Sequence, residues 1–335
     1  NNNVMIDDQF IGKINGLKLE LDLKKGALET DIKSLKKAAR KTIGPELEKR
    51  IQILIDTGLV ELKNDSKIYW NNATIGKLIP GKDYLSPNIE LLVDDMLEQN
   101  QKNKLINFLE KWLKNKISSV LKSLYDLKDL KDKNSSIKAL AYQLYENNGV
   151  LKRDNVSEYL KKLDQNDRKI LRDLGVKFGR YHVFLFKLIK PEPVSLRTLL
   201  WKNHNQKYFN LQPPTFGLNF LNDDKIQNIN FMLLCGFEKF NNFYIRIDIL
   251  ERLFMQIINS DTKDMKEIKI IPEMLNLLGC KKDDFKQLLR AMSYKILEKD
   301  NEVFFKYNPK KKVKPQNKEN VKENPFGVLK NLNLN

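Results

Sequence analysis

Cysteine and histidine are nearly missing from this 335-residue chain, which has two of each. Two cysteines cannot build a disulfide framework. Cys235 and Cys280 both stand in apolar helix-end contexts (LLCGF and LLGCK), so each reads as a structural thiol of a reduced, cytoplasmic protein. With so few His and Cys residues, and those far apart, the spacing of a zinc site does not arise. No apolar run approaches the roughly 18 residues that a membrane span needs, and no signal-peptide pattern opens the chain. A phosphate-cradling G-x-x-x-x-G-K-[ST] is missing too: Gly12-Lys13, Gly76-Lys77 and Gly81-Lys82 lack both the spacing and the following hydroxyl. Nor is there an acidic box to hold a nucleotide's Mg²⁺, a Gly-x-Ser-x-Gly elbow or a Ser/Cys–His–Asp set. By itself the chain is expected to be non-catalytic and to hold no cofactor or metal. The acid pairs Asp94-Asp95, Asp223-Asp224 and Asp283-Asp284 fall where helices should begin and read as caps; Asp7-Asp8 does not.

What is present is positive charge. A net +17 favours polyanions, nucleic acid ahead of an anionic membrane, since no basic amphipathic helix is flanked by free chain. Lysine, asparagine and isoleucine are abundant throughout, as AT-rich coding would make them, so lysine alone signals little. Arginine is the scarce cation. The chain has ten, and five fall between Arg153 and Arg197. Arginine offers phosphate a planar fork of donors where lysine offers a point charge. The stretch from Asp164 to His204 also contains both histidines and Lys177-Phe178-Gly179-Arg180-Tyr181-His182, in which cations and aromatics alternate about a glycine that lets a backbone approach. The set expected to meet nucleic acid is Arg168, Arg172, Lys177, Arg180, His182, Lys187, Lys190 and Arg197. For His182 the sequence favours a satisfied histidine beside an aromatic strand over a ligand. Phe178, Tyr181, Phe184 and Phe186 could stack bases, although Phe184 and Leu185 read first as core.

The chain opens NNNVMIDD, without an initiator Met or a cap, so a longer polypeptide is expected upstream. Ile11-Gly12-Lys13-Ile14-Asn15-Gly16 recurs as Ile75-Gly76-Lys77-Leu78-Ile79-Pro80-Gly81, with strand patterns on either side and a helical pattern after each copy. This predicts two β-hairpin-plus-helix units, 1–56 and 57–130, the first helix kinked or split at Gly44-Pro45. A polar linker follows over 126–136. Residues 137–204 read as a basic helical domain, and 205–230 as an irregular Asn/Pro-rich connection. Residues 231–307 read as winged-helix-like units, with a tight turn at Asn241-Asn242 and a last segment ordered helix, turn, helix, hairpin. From 308 a Lys-rich disordered tail leads to an apolar ending, NPFGVLKNLNL, that suits a docking motif for a protein partner. The fold class expected is α+β, mostly helical.

The sequence LRDLGVKFGRYHVFLFKLIKPEPVSLRTLLW resembles the C-terminal region of alphaproteobacterial DExH superfamily-2 helicases related to the mitochondrial degradosome RNA helicase. Ile75-Gly76-Lys77-Leu78, Arg246-Ile247-Asp248-Ile249-Leu250-Glu251-Arg252-Leu253, Pro272-Glu273-Met274-Leu275 and the terminal Asn324-Pro325-Phe326-Gly327-Val328-Leu329 are similar as well, in order along nearly the whole chain. The resemblance implies an ATP-dependent helicase acting on RNA. Its RecA-like motor domains, with their ATP and Mg²⁺, would lie before Asn1, and this chain would be the accessory part that grips a single strand. Two other readings stay open. One is a protein–protein scaffold, the other a stand-alone winged-helix DNA binder built on 231–307.

Overall fold

The computed structural model describes residues 3–6, 9–22, 29–95, 97–128, 130, 134–222, 228–260, 267–299 and 302–307. The chain is α+β, 49% helix against 25% strand, so helix dominates as expected, and its strands form several small antiparallel sheets. The expected tail over 308–335, its apolar ending, Asp7-Asp8 and Asp223-Asp224 lie outside the described residues.

Both Ile-Gly-Lys segments lie in strands rather than in turns. Strands β1 (Asn3–Ile6), β2 (Gln9–Asn15) and β3 (Lys18–Leu21) form one sheet with β2 in the middle. Helix α1 (Glu29–Thr57) follows. Strands β4 (Glu61–Leu62), β5 (Lys67–Trp70), β6 (Ala73–Ile79) and β7 (Asn88–Leu91) then form a second sheet, in that order. Gly12 on β2 and Gly76 on β6 each face a register shift in the preceding strand. A Cβ on Gly12 would sit 2.2 Å from the Glu20 carbonyl oxygen, so only glycine lets β3 close in. Asp94 does not cap a helix. Its carboxylate accepts from the Leu19 N–H at 3.0 Å and its own N–H donates to the Leu17 carbonyl, tying the two sheets together. Nor does Pro45 split α1, which runs through it as one helix. Ile43, Leu47, Ile51 and Leu54 carry a buried stripe across the proline, and this packing outweighs the missing hydrogen bond.

Helices α2 (Gln99–Val120) and α3 (Lys122–Tyr125) bury the stripe Leu105, Leu109, Leu113, Ile117 and Leu124. Next come α4 (Ser135–Glu146), β8 (Val150–Lys152), α5 (Ser157–Lys161), α6 (Gln165–Asp173), β9 (Val176–Phe178) and β10 (His182–Leu185). Their sheet has the order β8-β10-β9. Asn148 and Gly149, both with positive φ, stop α4 as the sequence predicts. Helix α7 (Pro191–His204) starts at its proline. Then β11 (Phe220–Asn222), α8 (Ile229–Leu234), β12 (Phe237–Phe240) and β13 (Phe243–Arg246) form a sheet of order β11-β13-β12, with Asn241 at positive φ in the turn. Last are α9 (Ile247–Ser260), β14 (Ile268–Lys269), α10 (Pro272–Leu278), α11 (Lys282–Ala291), β15 (Tyr294–Lys299) and β16 (Glu302–Tyr307), with the sheet β14-β16-β15.

Helix, strand, helix, helix, hairpin thus occurs twice, at 135–185 and 247–307. Each time the single strand pairs with the second strand of the hairpin. One buried core runs from Val4 to Leu200, through both hairpin sheets, α1, α2 and the 135–200 region. A second fills 245–305, and Val150, Phe184 and Ile247 pack together between them.

Candidate nucleic-acid interface

The turn from β9 to β10 is built around a carboxylate that arrives from 70 residues away. Glu251, on α9, accepts from three successive backbone N–H groups, those of Arg180, Tyr181 and His182, the last two at 2.9 Å. Such charge-assisted bonds to an ion are about twice as strong as neutral ones. A Cβ on Gly179 would lie 2.3–2.6 Å from that carboxyl group, so this glycine makes room for Glu251 and not for a nucleic-acid backbone. From the other side the Arg153 guanidinium donates to the Gly179 carbonyl at 2.6 Å, and its N–H to the Tyr181 carbonyl at 2.8 Å. The turn is therefore rigid, and it holds Arg180 outward.

His182 points the other way. It is 2% exposed, with Nε2 3.2 Å from Glu238 on β12 and Nδ1 3.5 Å from Glu251. Burial alone would lower its pKa, but hydrogen bonds to Glu238 and Glu251 outweigh this and hold it above its ordinary 6.5. Burial pushes Glu238 up, yet His182 and Lys152, whose Nζ is 2.6 Å away, bring it below the usual carboxylate range. His182 thus ties β10 to β12 and α9 from inside, and its place in the predicted strand-binding set is corrected: it sits in the cleft wall at 2% exposure with both ring nitrogens turned to Glu238 and Glu251.

Arg197 needs the same correction. It is 0% exposed, and its guanidinium donates to the carbonyls of Asn148 (2.8 Å), Leu188 (2.6 Å) and Leu234 (3.0 Å). Burial lowers its pKa. The planar fork that suits phosphate serves here to satisfy three chain segments at once, and the remaining Nε is buried too, out of a ligand's reach. Arg168 is half-buried, donating to the Leu160 carbonyl at 2.8 Å.

The other five residues are exposed: Arg172, Lys177, Arg180, Lys187 and Lys190. None has an ion-pair partner among the described residues. Arg172 and Arg168 share the Phe178 ring, at 5.8 and 5.9 Å from its centroid, and Lys190 lies 4.4 Å over Phe186. Phe184 is buried core, as read from the sequence. Burial pushes the Cys235 and Cys280 thiols up to about 12, which suits structural, unreactive groups.

Beside Arg180 opens a cleft of about 1270 Å³ between the sheets of β10, β12 and β16. Arg180 lies over Phe254 of α9 at 5.6 Å, with Tyr181 edge-on to the same ring at 5.7 Å. Sequence reasoning missed Glu238, Glu251, Phe254 and Lys306 because each comes from a distant segment. The single local clue was a glycine inside an otherwise well-formed hairpin. Among the described residues there is no His/Cys/Asp/Glu group able to hold a metal, and no helix long and apolar enough to cross a membrane. No family profile, no curated protein and no solved structure matches the chain.

Proposed function

We propose that this chain is the nucleic-acid-binding accessory region of an ATP-dependent helicase, gripping a single strand, RNA in the first place, for RecA-like motor domains elsewhere in the same polypeptide. The observation that carries the binding part is the run of exposed cations without acid partners at Arg172, Lys177, Arg180, Lys187 and Lys190. Cations already paired to carboxylates gain little from phosphate, whereas unpaired ones release counterions when a strand docks. The helix–strand–helix–helix–hairpin order of 135–185 and of 247–307 supports reading both as winged-helix units, a scaffold that presents a helix and a hairpin to nucleic acid. The two Ile-Gly-Lys strands support reading 1–130 as duplicated hairpin-plus-helix units. The motor rests on the sequence resemblance alone.

The test is fluorescence anisotropy with a labelled 20-nucleotide RNA over a salt series. Changing Arg172, Lys177 and Arg180 to Glu together is expected to weaken binding about a hundredfold. It should also flatten the slope of log K against log salt by roughly one unit for each phosphate no longer engaged. Unchanged affinity and slope would overturn the assignment of this face. The stand-alone DNA binder on 231–307 is favoured by the order of elements over 247–307, and tighter binding of duplex DNA than of single strands would establish it.

A further inference from the structure

The cleft beside Arg180 has chemistry that the exposed cation run does not need. Its walls are apolar and aromatic, with half-buried Phe240 and Phe254 beside Ile257 and Met292. Cations reach it from two separate sheets, Arg180 from the β9–β10 turn and Lys306 from β16. Arg180 has no ion-pair partner among the described residues, and Lys306 feels Glu267 only at longer range, that acid being paired with Lys299 at 2.6 Å. The acid deepest in it, Glu238, is already neutralised by Lys152 and His182, so the floor does not repel an anion. The remaining acid, Asp154, is exposed and lines the cleft beside Asn155. Flat apolar surface next to unpaired cations, with a polar edge, is what a nucleotide asks for: the base stacks, the phosphate meets guanidinium and ammonium, and the base edge finds an acceptor and an amide.

Size decides how much is bound. Small-molecule pockets run to about 300–1,000 Å³, and this cleft exceeds them at about 1270 Å³. We propose that it holds a short stretch of single strand, at least one base lying against Phe254 and its phosphate between Arg180 and Lys306. Asp154 would favour bases that carry an exocyclic amine, adenine, cytosine and guanine, over uracil. The strand as ligand rests on the proposed function, while the nucleotide chemistry of the cleft does not.

The test uses the full chain and two photoreactive probes, a 12-mer RNA bearing one 8-azidoadenosine and 8-azido-AMP, with peptide mapping of the labelled sites. Labelling of residues 180–182 or 254–258 by the 12-mer is expected. Ile258→Glu, at an exposed position lining the cleft (47% exposed), should lower 12-mer affinity about tenfold with the circular dichroism spectrum unchanged. Labels confined to α6 and β9, with Ile258→Glu neutral, would overturn the cleft and leave the proposed function standing. If only 8-azido-AMP labels the cleft, the site stands as one for free mononucleotides, and anisotropy with the unmodified strand shows whether the proposed function has failed separately. Protection of the cleft by an acidic decapeptide but not by AMP would overturn it in favour of a peptide groove.

Discussion

Residues 135–185 and 247–307 share one order of elements and one strand order, yet they treat charge in opposite ways. The β9–β10 hairpin carries Lys177 and Arg180 and no acid. The β15–β16 hairpin carries Lys295, Lys299 and Lys306 against Glu298, Asp300 and Glu302. There Lys299 is 2.6 Å from Glu267, Lys286 is 2.6 Å from Glu298, and Lys269 is paired with Glu302. The same framework can thus have most of its cations paired, Lys306 at the cleft excepted, or leave them open to a polyanion, and the distribution of acids decides which. Topology alone would rank the two equally.

The comparison breaks most visibly through the arginine that belongs to neither face. Arg197→Met should leave two buried carbonyls and a part-buried one without this donor, at about 1–3 kcal/mol each. A loss of about 4 kcal/mol or more in urea unfolding is expected, and a refolded or partly stable variant should keep the wild-type salt slope. A change in slope with little loss of stability would return Arg197 to the binding face. Next in size is the contrast itself. The Arg172, Lys177 and Arg180 reversal should cost about a hundredfold in strand affinity, whereas reversing Lys286 and Lys299 should cost under about threefold, because those charges are spoken for. Equal losses would erase the distinction between the two regions.

Gly179→Ala sharpens it structurally. The added methyl meets the Glu251 carboxyl group, and about 2 kcal/mol should be lost, as for other overpacked sites. In the Glu251→Ala background the same substitution should cost much less, a coupling that a double-mutant cycle reads directly. The smallest effect is that of pH. The folded pKa of His182 lies above its unfolded value, so its stabilisation is complete below about pH 6.5 and is lost as pH rises through the folded value. Glu238 is lowered, so its contribution is present above its unfolded value and disappears as pH falls through the folded one. Urea midpoints should therefore decline from about pH 6.5 upwards in the wild type. In His182→Gln that decline should be absent; its persistence would assign the dependence elsewhere.

Much of the framework is legible in the sequence because local signals carry it: Pro191 and Pro272 opening helices, Asn148-Gly149 and Gly279 closing them, Asn241-Asn242 between two aromatic strands. The second helix–strand–helix–helix–hairpin segment, at 135–185, stays hidden because β8 spans only three residues and shows no alternation. Among the candidate residues, the exposed lysines and Arg172 and Arg180 could be read from composition and context. Arg197 could not, because its burial depends on Leu234, supplied 37 positions later; for His182 the satisfied reading was available, but its partners Glu238 and Glu251, 56 and 69 positions on, were not.

That long reach has a practical consequence for anyone trimming the gene. A fragment ending at residue 204 would retain every arginine of the crowded stretch and still lose its presentation. The turn at 179–182 would keep Arg153 on one flank while its three amides faced water, and Arg197 would surrender the carbonyl of Leu234. The shortest piece worth expressing for binding studies therefore extends to residue 307, since α9 is itself held by the core that fills 245–305, and weak binding by anything shorter would report a collapsed loop, not a weak surface.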